Sequence, residues 1–122
     1  MKRILITAAI SGALAVILGA FGAHGLKKII TPDMLEVFKT GVQYQFYHTF
    51  ALLAVGIFMQ TSKSKALKWA GYLFIAGIFL FSGSLYLLAI TGIKILGAIT
   101  PFGGVAFIAG WIALAWHFRT KK

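Results

Sequence analysis

The sequence predicts an all-α, polytopic membrane protein with a single domain over residues 1–122, and two observations support this prediction. First, 60% of the residues are hydrophobic and only 11% are charged, whereas a soluble domain is about half apolar and about a quarter charged. Second, the few charged residues divide the chain into long uncharged stretches. The 12 basic and 2 acidic side chains cannot keep so apolar a chain in water, so a soluble fold is excluded.

The uncharged stretches have the length of membrane spans. They cover residues 4–26, 40–62, 69–93 and 95–118. Because a helix rises about 1.5 Å per residue, about 20 residues cross a hydrocarbon core of about 30 Å. We therefore expect a four-transmembrane-helix bundle, with spans near residues 4–23, 42–60, 69–91 and 101–118. Transmembrane strands would alternate polar and apolar residues, which the continuous apolar run 73–81 does not do.

The basic residues predict how these spans are oriented. The side with both termini and the middle loop holds eight basic residues: Lys2, Arg3, Lys63, Lys65, Lys68, Arg119, Lys121 and Lys122. The other side holds four, opposed by two acidic residues: Lys27, Lys28, Lys39, Lys94, Asp33 and Glu36. Cytoplasmic loops are enriched in Lys and Arg, so we expect both termini in the cytoplasm. The net charge of +10 suits anionic lipid headgroups, and no nucleic-acid partner is expected.

Both outer loops end in the same tripeptide, Ile-Thr-Pro, at residues 30–32 and 99–101. Threonine caps the free amides of a helix, and proline at the first helical position has no amide to lose. We therefore expect a helix to begin at each Thr-Pro pair. The shared pattern also suggests two hairpins, 1–62 and 63–122, which arose either by internal duplication or as independent solutions to the same turn.

The segment that follows the first Thr-Pro pair is predicted to be a short amphipathic helix before span two. Residues 32–40 mix charged and apolar side chains, as interfacial helices do, and Gly41 marks an expected bend.

In span one, small residues recur at every fourth position and would let another helix approach closely. They are Ser11, Ala15, Gly19 and Ala23.

The polar run 43–49, at the outer start of span two, is the strongest candidate for a functional site. It contains Tyr44, Gln45, Tyr47 and His48, and polar groups within a membrane must find partners. His24 ends span one, so we expect both histidines at a similar depth. Three interpretations are open: an interhelical hydrogen-bond network, a small-molecule, lipid-headgroup or quinone site, and a metal or haem held by the two histidines.

Other chemistry finds little support in the sequence. The two carboxylates, Asp33 and Glu36, fall in a surface segment, so a proton-coupled exporter with a carboxylate inside the membrane is disfavoured. His117 lies at the opposite face beside Trp116 and is interpreted as an interfacial residue. No catalytic residue, metal site or cofactor is assigned, and we do not expect an enzyme.

Five segments together resemble a family of small bacterial membrane proteins, domain-of-unknown-function family 423 of the YwdK and YgdD type, to which transmembrane protein 256 is similar. The segments are Gly19–Leu26, Gln45–Leu52, Gly83–Leu87, Thr100–Gly104 and Gly110–Trp111. The resemblance implies a four-helix protein of the bacterial inner membrane without an established activity. It also directs attention to Ser84 and Tyr86, so the candidate ligand-binding residues are His24, Tyr44, Gln45, Tyr47, His48, Ser84 and Tyr86.

Three functional hypotheses follow. The first is a non-enzymatic protein that acts by assembly, as a homo-oligomer or with a membrane partner protein, through its glycine-rich faces. The second is a small channel or transporter with a polar outer vestibule. The third, less expected one is a lipid- or quinone-binding enzyme centred on His24, Tyr47 and His48. Membrane lipids are expected partners in each case.

Overall fold

The computed structural model describes residues 2–120, and its regular structure is helical, with no strand among these residues. The helices are α1 (Lys2–Leu26), α2 (Pro32–Phe58), α3 (Lys65–Thr91) and α4 (Leu96–Thr120). This confirms the all-α fold class. Two of the residues used to predict the orientation, Lys121 and Lys122, lie outside the described residues.

Helices that are long and apolar enough to cross a membrane are confirmed for three of the four predicted segments. By length and composition α1, α3 and α4 can each cross a membrane. α2 has 27 residues and is equally long, but Gln43, Gln45 and His48 in its middle make it less apolar. Its role as a fourth span remains a prediction.

Two helix boundaries differ from the predicted ones. Residues 32–40 do not form a separate short helix, because α2 runs without interruption through Gly41 to Phe58. Thr31 caps α2 as expected, since its side chain accepts a hydrogen bond from the Met34 amide. Thr100-Pro101, in contrast, does not start a helix, because α4 begins four residues earlier, at Leu96, and Pro101 lies inside it.

Both ends of α3 also have local causes. Ser64 caps α3, where its hydroxyl accepts hydrogen bonds from the amides of Ala66 and Leu67. α3 ends at Gly92, which adopts the left-handed conformation with φ of 71°. Glycine takes this conformation without the steric cost of a Cβ atom.

The helices pack in chain order, α1 against α2, α2 against α3 and α3 against α4. Neighbours run antiparallel, so both described ends of the chain and the loop 59–64 lie at one end of the molecule, which we call the terminal end. The loops 27–31 and 92–95 lie at the other, the loop end. α1 and α3 each contain a six-residue π-helical segment, Ile17–Gly22 and Ile78–Gly83.

Glycines bring the helices close together. A Cβ atom at Gly103 of α4 would lie 2.3 Å from the backbone nitrogen of Phe81 in α3. Gly110 and Gly77 make similar close contacts with the rings of Phe74 and Phe107. The small-residue positions of α1 are used in the same way, because Ser11, Ala15 and Ala23 are buried and Gly19 contacts Val42 of α2. The glycine-rich faces thus serve packing within one chain.

Candidate functional site

A hydrogen-bonded cluster joins α1, α2 and α3 in the middle of the molecule. Gln45, only 4% exposed, donates from Nε2 to the backbone carbonyl of Ser11 at 2.9 Å and accepts at Oε1 from the Tyr86 hydroxyl at 2.5 Å. The hydroxyls of Ser11 and Thr49 are 2.7 Å apart. We call these four residues, Ser11, Gln45, Thr49 and Tyr86, the polar bridge.

A groove of about 350 Å³ lies between α1 and α3, with Gln45 and Ser11 of the polar bridge among its lining residues. Its walls are mainly apolar and come from both helices: Ile10, Leu14 and Leu18 from α1 and Ile75, Ile78 and Phe79 from α3. The volume falls within the range of ligand pockets. Because the bridge residues bond to one another, the groove presents an almost wholly apolar surface. We call it the chain groove.

Two glycines of α3 shape the chain groove. Towards the terminal end, a Cβ atom at Gly71 would be 2.8 Å from Cδ1 of Ile4, so α1 and α3 touch there and close the groove. Gly83 lines the groove, and a Cβ atom added there would meet no atom within 4 Å. The groove is therefore narrow at Ile4 and has free space at Gly83.

A second recess lies between α2 and α4, around His48. The buried His48 ring stacks on Phe107, with centroids 3.4 Å apart and planes 8° apart. Its Nε2 accepts a hydrogen bond from Nε1 of Trp111 at 3.1 Å, and its Nδ1 is 2.7 Å from the carbonyl oxygen of Tyr44. This pattern places the proton on Nδ1, because Nε2 faces a donor and Nδ1 faces an acceptor. We call the hollow lined by Tyr44, His48, Phe81, Gly104, Phe107, Ile108 and Trp111 the aromatic recess.

The structure divides the predicted site residues among several places. Gln45 and Tyr86 join in the polar bridge, and Tyr44 and His48 join in the aromatic recess. Ser84 forms a separate pair, in which its hydroxyl is 2.6 Å from that of Thr100. Tyr47 is half exposed and accepts a hydrogen bond from Gln43 at 2.6 Å.

The expectation that His24 and His48 lie at the same depth is wrong. Gly22 of α1 lies beside Phe38 of α2, so the exposed His24 lies near the loop end. His48 is ten residues further along α2 than Phe38, which is about 15 Å along the helix axis. The two histidines therefore do not form one site. Within residues 2–120, no three His, Asp or Glu side chains are grouped as metal ligands.

Sequence reasoning missed several of these contacts. Ser11 was expected only as a small residue for packing, although its hydroxyl lies in the polar bridge. Trp111 was named only as part of the family resemblance. His117 was expected at an interface, but it is only 2% exposed, and its Nε2 has no hydrogen-bond partner among the described residues. The one available signal for Ser11 and Trp111 was a polar atom inside an apolar span, which must find a partner somewhere.

Comparisons with known proteins agree with the resemblance that the sequence suggested. The family described as "Protein of unknown function (DUF423)" matches residues 18–104. The chain is 53% identical over 115 residues to UPF0382 membrane protein YwdK of Bacillus subtilis (strain 168), which covers 93% of this chain and 94% of that protein. No solved structure matches the chain.

A second relative comes from another bacterium. Over 114 residues, the chain is 51% identical to UPF0382 membrane protein SAB0533 of Staphylococcus aureus (strain bovine RF122 / ET3-1), with 93% of each protein covered. Both relatives are membrane proteins, in accord with the three helices that can cross a membrane. The family match and the two relatives together identify this chain as a membrane protein of the DUF423 family.

Proposed function

We propose that this protein is a non-enzymatic membrane protein that binds one acyl or isoprenoid chain of a membrane lipid in the chain groove. The observation that carries the proposal is the groove itself, about 350 Å³ of mainly apolar space between two helices that can cross a membrane. Membrane lipids surround such helices, so their chains are the nearest apolar ligands.

The hydrogen bonds of the polar bridge favour a chain over a polar headgroup as the occupant. Both Nε2 and Oε1 of Gln45 are engaged by other residues of the bridge. Since the Ser11 and Thr49 hydroxyls also pair with each other, the floor of the groove offers few free donors. Van der Waals packing of the chain against the groove walls is then the main source of binding free energy, because a chain that moves from the bilayer into the groove exchanges one apolar environment for another.

Native mass spectrometry from a mild detergent tests this proposal, with Gly83→Leu as the blocking variant. The new side chain at Gly83 would enter the groove, because nothing lies within 4 Å of its Cβ position. Gly25→Leu is the matched control, since its Cβ position is equally free and lies outside the groove. We expect one retained lipid on the wild type and on Gly25→Leu, and none on Gly83→Leu. Equal retention by all three proteins would rule the proposal out.

Assembly with a second copy or with a membrane partner protein is the other function that the sequence suggests. It would need surfaces other than the glycine-rich faces, because Gly77, Gly103 and Gly110 contact aromatic residues of the same chain. The same spectra count protomers. Dimers or larger assemblies without lipid would favour assembly over lipid binding, and solute flux through reconstituted vesicles would favour a channel or transporter.

For the arrangement in the membrane, we propose four spans in the bacterial plasma membrane, with both termini in the cytoplasm. α2 completes the set, because its polar residues Gln45 and His48 are buried against other helices and need not face lipid. The excess of basic residues at the terminal end supports this orientation.

We also propose that the two hairpins, 1–62 and 63–122, arose by duplication. The first helix of each hairpin contains a six-residue π-helical segment towards the loop end, Ile17–Gly22 and Ile78–Gly83. π-helical segments are rare, so their occurrence at corresponding places supports a common origin more strongly than the Thr-Pro pairs do.

A further inference from the structure

The aromatic recess is separate from the chain groove and offers different chemistry. The groove lies between α1 and α3, whereas the recess lies between α2 and α4 and encloses about 350 Å³. The recess is lined by five rings, and Gly104 leaves space on the side of α4. A ligand in the recess would contact aromatic rings, whereas a ligand in the groove would contact mainly aliphatic side chains.

Three rings of the recess, those of Tyr44, His48 and Phe107, lie in nearly parallel planes, whereas the Trp111 indole is inclined by 62° to the His48 ring. The Tyr44 plane is 15° from that of His48 and 23° from that of Phe107, and the His48 and Phe107 planes differ by 8°. The hydrogen bond between Trp111 and His48 fixes the indole, which is 46% exposed. A wall that combines parallel rings with an inclined indole favours a planar ring as ligand, because aromatic rings prefer offset-stacked or edge-to-face contacts.

One polar group of the recess is free to bind a ligand. Both ring nitrogens of His48 and the indole N–H of Trp111 are used within the chain. The Tyr44 hydroxyl, in contrast, takes part in none of the hydrogen bonds found among residues 2–120, and Tyr44 is 36% exposed. A hydroxyl inside a membrane gains free energy when it donates to an acceptor. The matching group on a planar ring is a carbonyl oxygen.

We propose that the aromatic recess binds a planar ring that carries a carbonyl acceptor, of the quinone class, with the Tyr44 hydroxyl as donor. Trp111 and Tyr44 provide the aromatic contacts, and Gly104 provides the space. His48 does not touch the ligand's polar group. It acts as a positioning residue, since it holds Trp111 through Nε2 and supports Tyr44 by stacking.

Fluorescence of Trp111 tests the proposal. In the background Trp69→Phe/Trp116→Phe, Trp111 is the remaining tryptophan, because the chain has three. Menadione, a naphthoquinone, is titrated into the purified protein in nanodiscs, and we expect saturable quenching. Gly104→Leu fills the recess and should weaken binding at least tenfold. Tyr44→Phe should weaken it about fivefold, the contribution of one hydrogen bond.

Controls separate the proposal from simple partition into the lipid. 2-Methylnaphthalene has the same ring system without the carbonyl groups, so its binding should not change in Tyr44→Phe. Gly97→Leu places the same side chain on α4 outside the recess, where the Cβ would make only ordinary contact with Leu88 at 3.8 Å. Quenching that rises linearly, or that is equal in Gly104→Leu and Gly97→Leu, would overturn the site. Equal menadione affinity with and without the Tyr44 hydroxyl would overturn its assignment as donor.

Discussion

Single atoms decide how closely α3 and α4 approach. At Gly103, the hydrogen that stands in place of a side chain faces the Phe81 backbone, whereas at the adjacent Gly104 the nearest Phe81 ring atom would be 3.9 Å from a Cβ. The two neighbouring glycines thus differ in how strongly they limit the approach of α3 to α4. A side chain on Gly103 must move backbone atoms, and one on Gly104 need not.

This difference gives a prediction at the residue scale. Gly103→Ala should destabilise the protein by about 1–3 kcal/mol, the usual cost of overpacking, because the new methyl group overlaps the backbone of α3. Gly104→Ala should change the free energy of unfolding by less than about 0.5 kcal/mol. Thermal unfolding in detergent, followed by circular dichroism, measures both. Similar melting temperatures for the two variants would contradict the close approach of α3 and α4 at Gly103.

The contribution of the polar bridge to stability also depends on individual side chains. Gln45→Met and Tyr86→Phe each remove one side of the hydrogen bond between Oε1 and the phenol, so a double-mutant cycle isolates this contact. We expect a coupling free energy of about 0.6 kcal/mol, and no more than about 1.7 kcal/mol, as for hydrogen bonds between transmembrane helices. Equilibrium unfolding in mixed micelles gives the four values. Additive effects of the two substitutions would mean that the hydrogen bond does not stabilise the fold.

The two Thr-Pro pairs differ when whole helices are considered. Thr31 lies just before α2 and accepts a hydrogen bond from the Met34 amide at 3.2 Å. Thr100 lies inside α4, where its hydroxyl pairs with that of Ser84 of α3. The first Thr-Pro pair thus lies at the start of α2, whereas Thr100 of the second pair links α4 to α3. The second pair lies inside α4 because residues 96–99 add a helical turn before it.

Removal of the α2 cap should therefore be measurable. Thr31→Ala should lower stability by about 1 kcal/mol and speed hydrogen exchange at the Met34 amide, because that amide loses its acceptor. Thr31→Asp retains a capping oxygen and should behave like the wild type. Mass-resolved hydrogen exchange of the purified protein reports both effects. Unchanged exchange at Met34 in the alanine variant would show that the cap does not hold the start of α2.

At the scale of the whole molecule, charge and packing divide the structure into two ends. The terminal end carries six of the ten basic residues within residues 2–120 and the larger core cluster, which includes Leu52, Leu67 and Phe74. The loop end has a smaller cluster around Phe38 and Ala89. The chain groove lies between α1 and α3, and the aromatic recess, whose Phe107 belongs to the larger cluster, lies between α2 and α4.

The proposed orientation can be tested with cysteines introduced one at a time, because the natural chain contains none. Lys63→Cys at the terminal end should react with a membrane-impermeant maleimide only after the cells are opened. Lys28→Cys and Lys94→Cys at the loop end should react in intact cells. Labelling of all three in intact cells would contradict four spans with cytoplasmic termini.

The helical class, the membrane environment, the family and two helix ends, the start of α2 and the end of α3, follow from the sequence alone. These properties depend on local features, namely the apolar fraction, the spacing of charges and the Thr-Pro pair at the start of α2. The sequence did not predict which residues face each other across the helix interfaces. It therefore predicted that Gln45 and His48 need partners, but not which partners they have.

The packing of the helices sets those partners. Gln45 meets Ser11 and Tyr86 across sequence separations of 34 and 41 residues, and His48 meets Trp111 across 63. Such pairs depend on the axial register and rotation of neighbouring helices. The register and the rotation of each helix result from all of its contacts together, including the close approaches at the glycines. No local pattern in the sequence therefore encodes the register or the rotation.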